Sequence, residues 1–178
     1  MSESTKMHKS QAPKKIRFGI FICSTSRYQK LAKRETTTDI SGDLIETLLK
    51  NAGHRILFRR TIPDEKPLIK QSVKFALNRR DLDVALFCGG TGITHSDVTI
   101  ETVSPLLEKV LLGFGEIFRR LSFDEIGSAA ILSRAMAGVA KDKILVCIPG
   151  SPNAVKLCLE KLILPEVGHM VKHAREWR

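Results

Sequence analysis

The feature that most constrains this chain is the junction at Val84–Cys88, where five consecutive apolar residues run directly into Gly89-Gly90-Thr91-Gly92. A short apolar run with no polar alternation reads as a strand covered on both faces, as in a parallel sheet. Two more runs have the same character. Ile16–Cys23 (IRFGIFIC) stops at Ser24-Thr25-Ser26, and Lys143–Ile148 (KILVCI) stops at Pro149-Gly150-Ser151-Pro152. His54–Ile62 reads as a further strand and stops at Pro63-Asp64-Glu65.

Between these runs the apolar period changes to that of helices. Leu44, Ile45, Leu48 and Leu49 fall on one face of a segment that Asp39 or Ser41 can cap and Gly53 can stop. Pro63-Asp64-Glu65 opens a second helix with Ile69, Val73, Phe75, Ala76 and Leu77 as its stripe. A helix is expected over Ile100–Leu112, a break at Gly113-Phe114-Gly115-Glu116, and an amphipathic segment to about Phe123. Residues 129–139 fit either extended structure or a short helix. Ala154–Leu164 reads as a helix, and Pro165 as the start of the last one. Ser24–Thr38 has no apolar period and reads as a mobile loop. Alternating strands and helices imply an α/β, three-layer fold: a central, mostly parallel sheet with helices on both faces.

At 178 residues the chain suits one domain over residues 15–178, preceded by a polar, basic tail at residues 1–14 read as flexible. No apolar stretch approaches the length needed to span a bilayer, and the polar start lacks a signal-peptide core, so a cytoplasmic location is expected. The four cysteines form no C-x-x-C pair and read as small buried hydrophobes. The histidines are scattered, with His8 and His173 read as tail residues. The net charge of +10 attracts anions, but with only 6% aromatics and no stacking rings among the basic runs it argues against nucleic acid.

In a parallel sheet, ligands collect outside the carboxyl ends of the strands. Here those ends carry Ser24 and Ser26, Asp64, the Gly89–Gly92 turn and the Pro149–Pro152 turn. Glycines let a phosphate approach backbone N–H groups closely, and Thr91 adds a hydroxyl; the alternative is a tight turn with no ligand. The chain has neither a Walker-type loop nor G-x-G-x-x-G. Asp97 is either a helix cap, with Thr99 as its rival, or a carboxylate facing the ligand. Mg²⁺ typically takes one or two carboxylates plus substrate phosphates, and Asp64 is the natural second carboxylate, ahead of Glu65 and Glu101. Ser133 and Arg134 offer a hydroxyl and a guanidinium to a phosphate or a heterocycle edge.

The order F-C-G-G-T-G-I-T-H-S-D-V-T, G-F-G-E, S-F-D-E-I-G, L-S-R-A-M-A-G and P-G-S-P resembles the MoaB/MogA family of molybdenum-cofactor biosynthesis over about residues 16–167, and its MoaB branch more closely. The resemblance implies a homotrimer or homohexamer acting in molybdenum or tungsten cofactor synthesis. It implies a molybdopterin adenylyltransferase that joins AMP from Mg-ATP to the terminal phosphate of molybdopterin, releases pyrophosphate and passes the product to a metal-insertion protein. A non-catalytic molybdopterin-binding protein of the same fold is the alternative. Carried onto this chain, the acidic residues important for activity correspond to Asp64 and Asp97, which would hold Mg²⁺. The pocket corresponds to Gly89, Gly90, Thr91, Gly92, Ser133, Pro149, Gly150 and Ser151, with Ser24 and Ser26 on the same rim. Ser96 stands where MogA-type members often carry arginine, while Asp64 is an acidic residue that inactive MoaB-branch proteins lack.

Overall fold

The computed structural model describes residues 11–176. Its centre is a six-stranded sheet. Strands β1 (Arg17–Cys23), β2 (Arg55–Ile62), β3 (Val84–Cys88), β4 (Lys109–Val110), β5 (Met136–Ala140) and β6 (Lys143–Ile148) lie in the order β2-β1-β3-β6-β5-β4. β2, β1, β3 and β6 are parallel, whereas β5 runs antiparallel to both β6 and β4.

The unbroken apolar runs are explained by cover on both faces. Ile20, Ile22, Leu86, Val146 and Ile148 point to one side and pack with Ile45, Leu49, Phe118, Val155 and Val167. Their sequence neighbours Phe21, Phe87, Leu145 and Cys147 point to the other side and pack with Ile69, Val73, Ala76 and Val103. Helices α2 (Ile40–Asn51), α5 (Leu112–Ile126), α6 (Pro152–Leu157) and α7 (Leu164–Arg175) supply the first layer; α3 (Lys66–Asn78) and α4 (Thr99–Val103) supply the second. The three-layer arrangement expected from the sequence is thus present. All four cysteines are buried within it.

Several local expectations are corrected. Ser24–Thr38 contains a helix, α1 (Thr25–Ala32), whose start is capped by the Ser24 hydroxyl accepting from the Arg27 N–H. None of its residues is buried, so it has no apolar stripe to reveal it. The expected helix over Ile100–Leu112 ends as α4 at Val103, passes through a 3₁₀ turn at Ser104–Leu106, and gives way to the short edge strand β4. Gly113 to Glu116 form the first turns of α5 rather than a break. A β-carbon on Gly115 would lie 2.7 Å from the Ala135 carbonyl oxygen, so glycine lets α5 approach the chain beside β5.

The ambiguous stretch resolves into a 3₁₀ segment, Gly127–Leu132, followed by β5. Pro165 lies in the first turn of the last helix, α7, as expected, and α7 is joined to α6 through a π-helical turn at Cys158–Ile163. His173 belongs to α7 rather than a tail, and its Nε2 lies 2.7 Å from Nε2 of His169. Of the expected basic tail, residues 1–10, with His8, lie outside the described residues. The Pro13 carbonyl approaches Gly168, and Gln11 accepts a hydrogen bond from Lys172, so contact with the domain begins before residue 15. Among the described residues no helix is long and apolar enough to cross a membrane.

Candidate functional site

Three turns meet where the parallel strands end. Gly89 donates its N–H to the Ile148 carbonyl, and Ser24 donates to the Ile62 carbonyl, so the ends of β3, β6, β1 and β2 are tied together. The Ser41 hydroxyl donates to the Gly150 carbonyl at 2.7 Å and fixes the Pro149–Pro152 turn to the start of α2. Gly89 and Gly90 both have positive φ, +104° and +61°. Their missing side chains are needed for space as well as conformation. A β-carbon on Gly89 would sit 2.3 Å from the Cys23 carbonyl oxygen, and one on Gly90 would sit 2.5 Å from Thr99 Oγ1 and 2.7 Å from Asp64 Oδ1.

The result is a cavity of about 390 Å³ that brings together Ser24, Gly89, Gly90, Thr91, Gly92, Asp97, Ser133, Pro149 and Gly150. Arg27 and Arg134 also line it. Ser151 lies outside this cavity. Its hydroxyl caps α6 by accepting from Ala154 N–H, and it lines an adjoining space of about 280 Å³ that shares Ser133 and Pro149. Ser26 is exposed and placed one step off the wall, 3.3 Å from the Ser24 hydroxyl.

The two aspartates occupy different settings. Asp64 lies behind Gly90 rather than on the cavity wall. Its Oδ2 accepts from Thr25 N–H at 2.8 Å and Thr25 Oγ1 at 3.0 Å, and Thr25 Oγ1 in turn accepts from Asp64 N–H. Its Oδ1 is buried with no hydrogen-bond partner among the described residues, and so is Thr99 Oγ1 on the same side of Gly90. Burying a carboxylate oxygen without a donor costs free energy, so this oxygen is available to a cation or a donor that enters the site.

Asp97 does not cap α4, whose preceding residue is Val98. Its Oδ2 accepts instead from the N–H and hydroxyl of Thr94, closing its own loop. Burial pushes its carboxyl up, but the bonds from Thr94, the Gly92 amide and the charge of Arg134 outweigh that and hold it below the ordinary range. It is therefore ionised at neutral pH. Glu65 is exposed on the approach to α3. Glu101 is paired with Arg134.

Arg134 has a role that its sequence position does not reveal. Its Nε donates to the Thr91 carbonyl at 2.8 Å, Nη2 donates to the Gly92 carbonyl, and Nη1 pairs with Glu101. The guanidinium thus holds the carbonyls of the glycine turn. Arg27 is the site residue that the sequence reading missed, hidden in what read as a loop. It places a one-third-exposed guanidinium on the cavity wall, with Nε bonded to the Thr38 carbonyl. Burial pushes the adjacent Cys23 and Cys88 thiols up to about 12, which leaves both as packing groups rather than nucleophiles.

Among the described residues no three His, Cys, Asp or Glu side chains form a cage for a metal ion. Asp64 Oδ1, buried without a hydrogen-bond partner among the described residues, and the ionised Asp97 on the cavity wall fit Mg²⁺ completed by ligand phosphates better than a metal held wholly by protein.

Fold and site together define a class: a mostly parallel-sheet domain whose glycine turn and Asp97 face a cavity at the strands' carboxyl ends, with Asp64 behind the turn. Residues 19–169 match a family described as "Probable molybdopterin binding domain". Molybdenum cofactor biosynthesis protein B of Bacillus cereus is 46% identical over 168 residues, covering 94% of this chain and 95% of that protein. A probable molybdopterin adenylyltransferase of Methanocaldococcus jannaschii is 42% identical, covering 92% and 96%. The crystal structure of the tungsten cofactor synthesizing protein MoaB from Pyrococcus furiosus superposes with a TM-score of 0.80 at 41% identity, over 93% of this chain and all of that one. The chain belongs to the MoaB family of molybdenum cofactor biosynthesis proteins.

Proposed function

We propose that this protein is a molybdopterin adenylyltransferase. The observation that carries the reading is the buried, unpartnered Oδ1 of Asp64 beside a glycine turn whose amides border the cavity. An anionic oxygen there is suited to a divalent cation brought in with ligand phosphates. The name borne by the archaeal relative agrees with this reading.

In the proposed reaction a terminal phosphate oxygen of molybdopterin attacks the α-phosphorus of ATP. A P–O bond forms, the bond from the α-phosphorus to the bridging oxygen breaks, and pyrophosphate leaves with that bond's electrons. Two anions must approach each other, so positioning and charge neutralisation are the protein's main tasks. The Gly90 and Thr91 amides and the Ser24 and Ser133 hydroxyls would hold phosphate oxygens. Arg27 would offset their charge, and Arg134 would keep the turn's carbonyls turned aside. Asp64 and Asp97 would hold Mg²⁺, which when bound draws charge from the phosphates. Thr25 keeps Asp64 oriented through its paired bonds.

The reading extends to assembly. Leu112, Ile117, Phe123, Ile126, Ile131 and Leu132 are each more than half exposed on α5 and the following 3₁₀ segment. Such a patch on a water-soluble chain marks a contact surface. It supports self-association, which we read as a homotrimer or homohexamer; the same reading puts the protein in the cytoplasm, its product passing to a metal-insertion protein. Light scattering on the purified protein should give three or six times 19.8 kDa, and a monomer would contradict this. The catalytic reading is tested by incubating the protein with molybdopterin and Mg-ATP. Adenylylated molybdopterin and pyrophosphate should appear in equal amounts; bound molybdopterin without either product would leave a non-catalytic binding protein instead.

A further inference from the structure

At the opposite end of the sheet, Asp83 stands just before β3, 2% exposed. It accepts from Arg17 N–H at 2.7 Å, from Arg17 Nε at 3.0 Å, from Arg17 Nη2 at 2.7 Å, and from Arg175 Nη2. Beside this fastening is a cavity of about 670 Å³ whose wall carries Arg17, Arg80, Lys141, Lys143 and Arg175, with Leu77 and Asn78 at its side. Five cationic side chains face one wall carboxylate, Asp142. Asp83 is itself occupied by two of the arginines.

Lys143 makes this arrangement unusual. It is 9% exposed and has no hydrogen bond or ion pair with any described residue. Burial pulls its ammonium below the ordinary lysine range and neighbouring Arg175 adds to the effect, while the charges of Asp83 and Asp142 oppose it only in part. Its ammonium opens on the cavity without a hydrogen-bonded carboxylate among the described residues, and a bound anion would supply that partner. The β5–β6 turn adds to the cluster. Lys141 and Asp142 both hold positive φ, +47° and +62°, a two-residue hairpin geometry normally given to Asn-Gly. A lysine accepted there carries a cation to the cavity wall.

We propose that this cavity is a second anion site, separate from the glycine turn, and that it takes a multiply charged phosphate group: free pyrophosphate or the polyphosphate tail of a nucleotide. Guanidinium groups recognise phosphate oxygens through paired N–H bonds, and the buried Lys143 supplies a point charge at the base. The site does not depend on the catalytic reading, since it shares no residue with the other cavity.

The test is calorimetric titration of the full-length protein with sodium pyrophosphate in EDTA, so that divalent ions play no part. Wild type should bind. The Arg80→Ala/Lys141→Ala double variant, which removes two exposed cations and leaves Asp83 fastened, should bind at least tenfold more weakly. Lys70→Ala/Lys74→Ala, which removes the same charge from exposed positions on α3, should stay within twofold of wild type. Lys143→Met should lose at least tenfold in affinity while melting close to wild type, because methionine keeps the buried stem and removes only the cation facing the cavity. ATP titrated in parallel separates the two sources: binding tighter than pyrophosphate assigns a nucleotide, and equal or weaker binding assigns the free anion. The proposal is overturned if wild type shows no binding or if the α3 control weakens as much as the double variant. It also fails if Gly90→Ala abolishes the binding while Arg80→Ala/Lys141→Ala keeps it.

Discussion

Asp83 and Asp64 stand at opposite ends of the same sheet and are both carboxylates in largely enclosed settings, yet the chain treats them in opposite ways. Asp83 receives bonds from a backbone amide and two guanidinium groups and ties β1, β3 and α7 together. Asp64 has one oxygen satisfied by Thr25 and the other buried with no hydrogen-bond partner among the described residues. A fully satisfied carboxylate stabilises the fold, whereas one left half satisfied is open to whatever enters the site. Asp83 is buried and Asp64 half-buried, but it is the bond inventory that shows which one is left open.

The comparison can be broken most easily at Asp83. Asp83→Ala should cost about 2–4 kcal/mol of unfolding free energy, measured by urea denaturation, because it strands two arginines that remain partly solvated. Asp64→Asn should change stability by less than about 1 kcal/mol, since the partnered oxygen can be kept, but should lower adenylyl transfer at least about 100-fold, a barrier change of about 2.7 kcal/mol. If instead Asp64→Asn unfolds the protein and Asp83→Ala does not, the assignment of roles is reversed. Arg134→Met should have an intermediate effect, about tenfold on turnover, with a shift in KM for ATP or molybdopterin as the turn's carbonyls are released. A purely structural arginine would lower the melting temperature without moving the kinetic constants.

Acid provides a smaller, graded test. Burial pushes the Asp83 carboxyl up, but the bonds from Arg17 and Arg175 prevail and hold it below its ordinary value. A carboxyl depressed in the folded state contributes stability that is present above its unfolded pKa of about 4. That contribution is lost as the pH falls through the lower, folded value. Wild type should therefore lose stability below about pH 4, and Asp83→Asn should show a shallower acid limb because its contribution is already missing.

Much of this architecture was legible because burial on both faces leaves a direct trace. Residues such as Phe21 and Ile22, or Val146 and Cys147, point to opposite cores, so every position in the strand must be apolar. The glycine turn was legible for a similar reason. Gly90 has atoms of Thr99 and Asp64 where a side chain would be, and no other residue fits. Helix α1 left no trace because an exposed helix needs no apolar stripe, and Arg27 was hidden with it. Arg134 is plain in the sequence, but its attachment to carbonyls about forty residues away is a tertiary fact. The fit of α5 against the chain beside β5 likewise turned an apparent glycine break at Gly113–Gly115 into a helix start.

The unpartnered oxygen of Asp64 is tested most directly by a single-turnover reaction with ATP labelled at the α-phosphate. Wild type should move the label to molybdopterin in a Mg²⁺-dependent step, and Asp64→Asn should bind molybdopterin with affinity within about threefold of wild type while transferring almost none. Equal transfer by both proteins, or binding by wild type with no transfer at all, would contradict it.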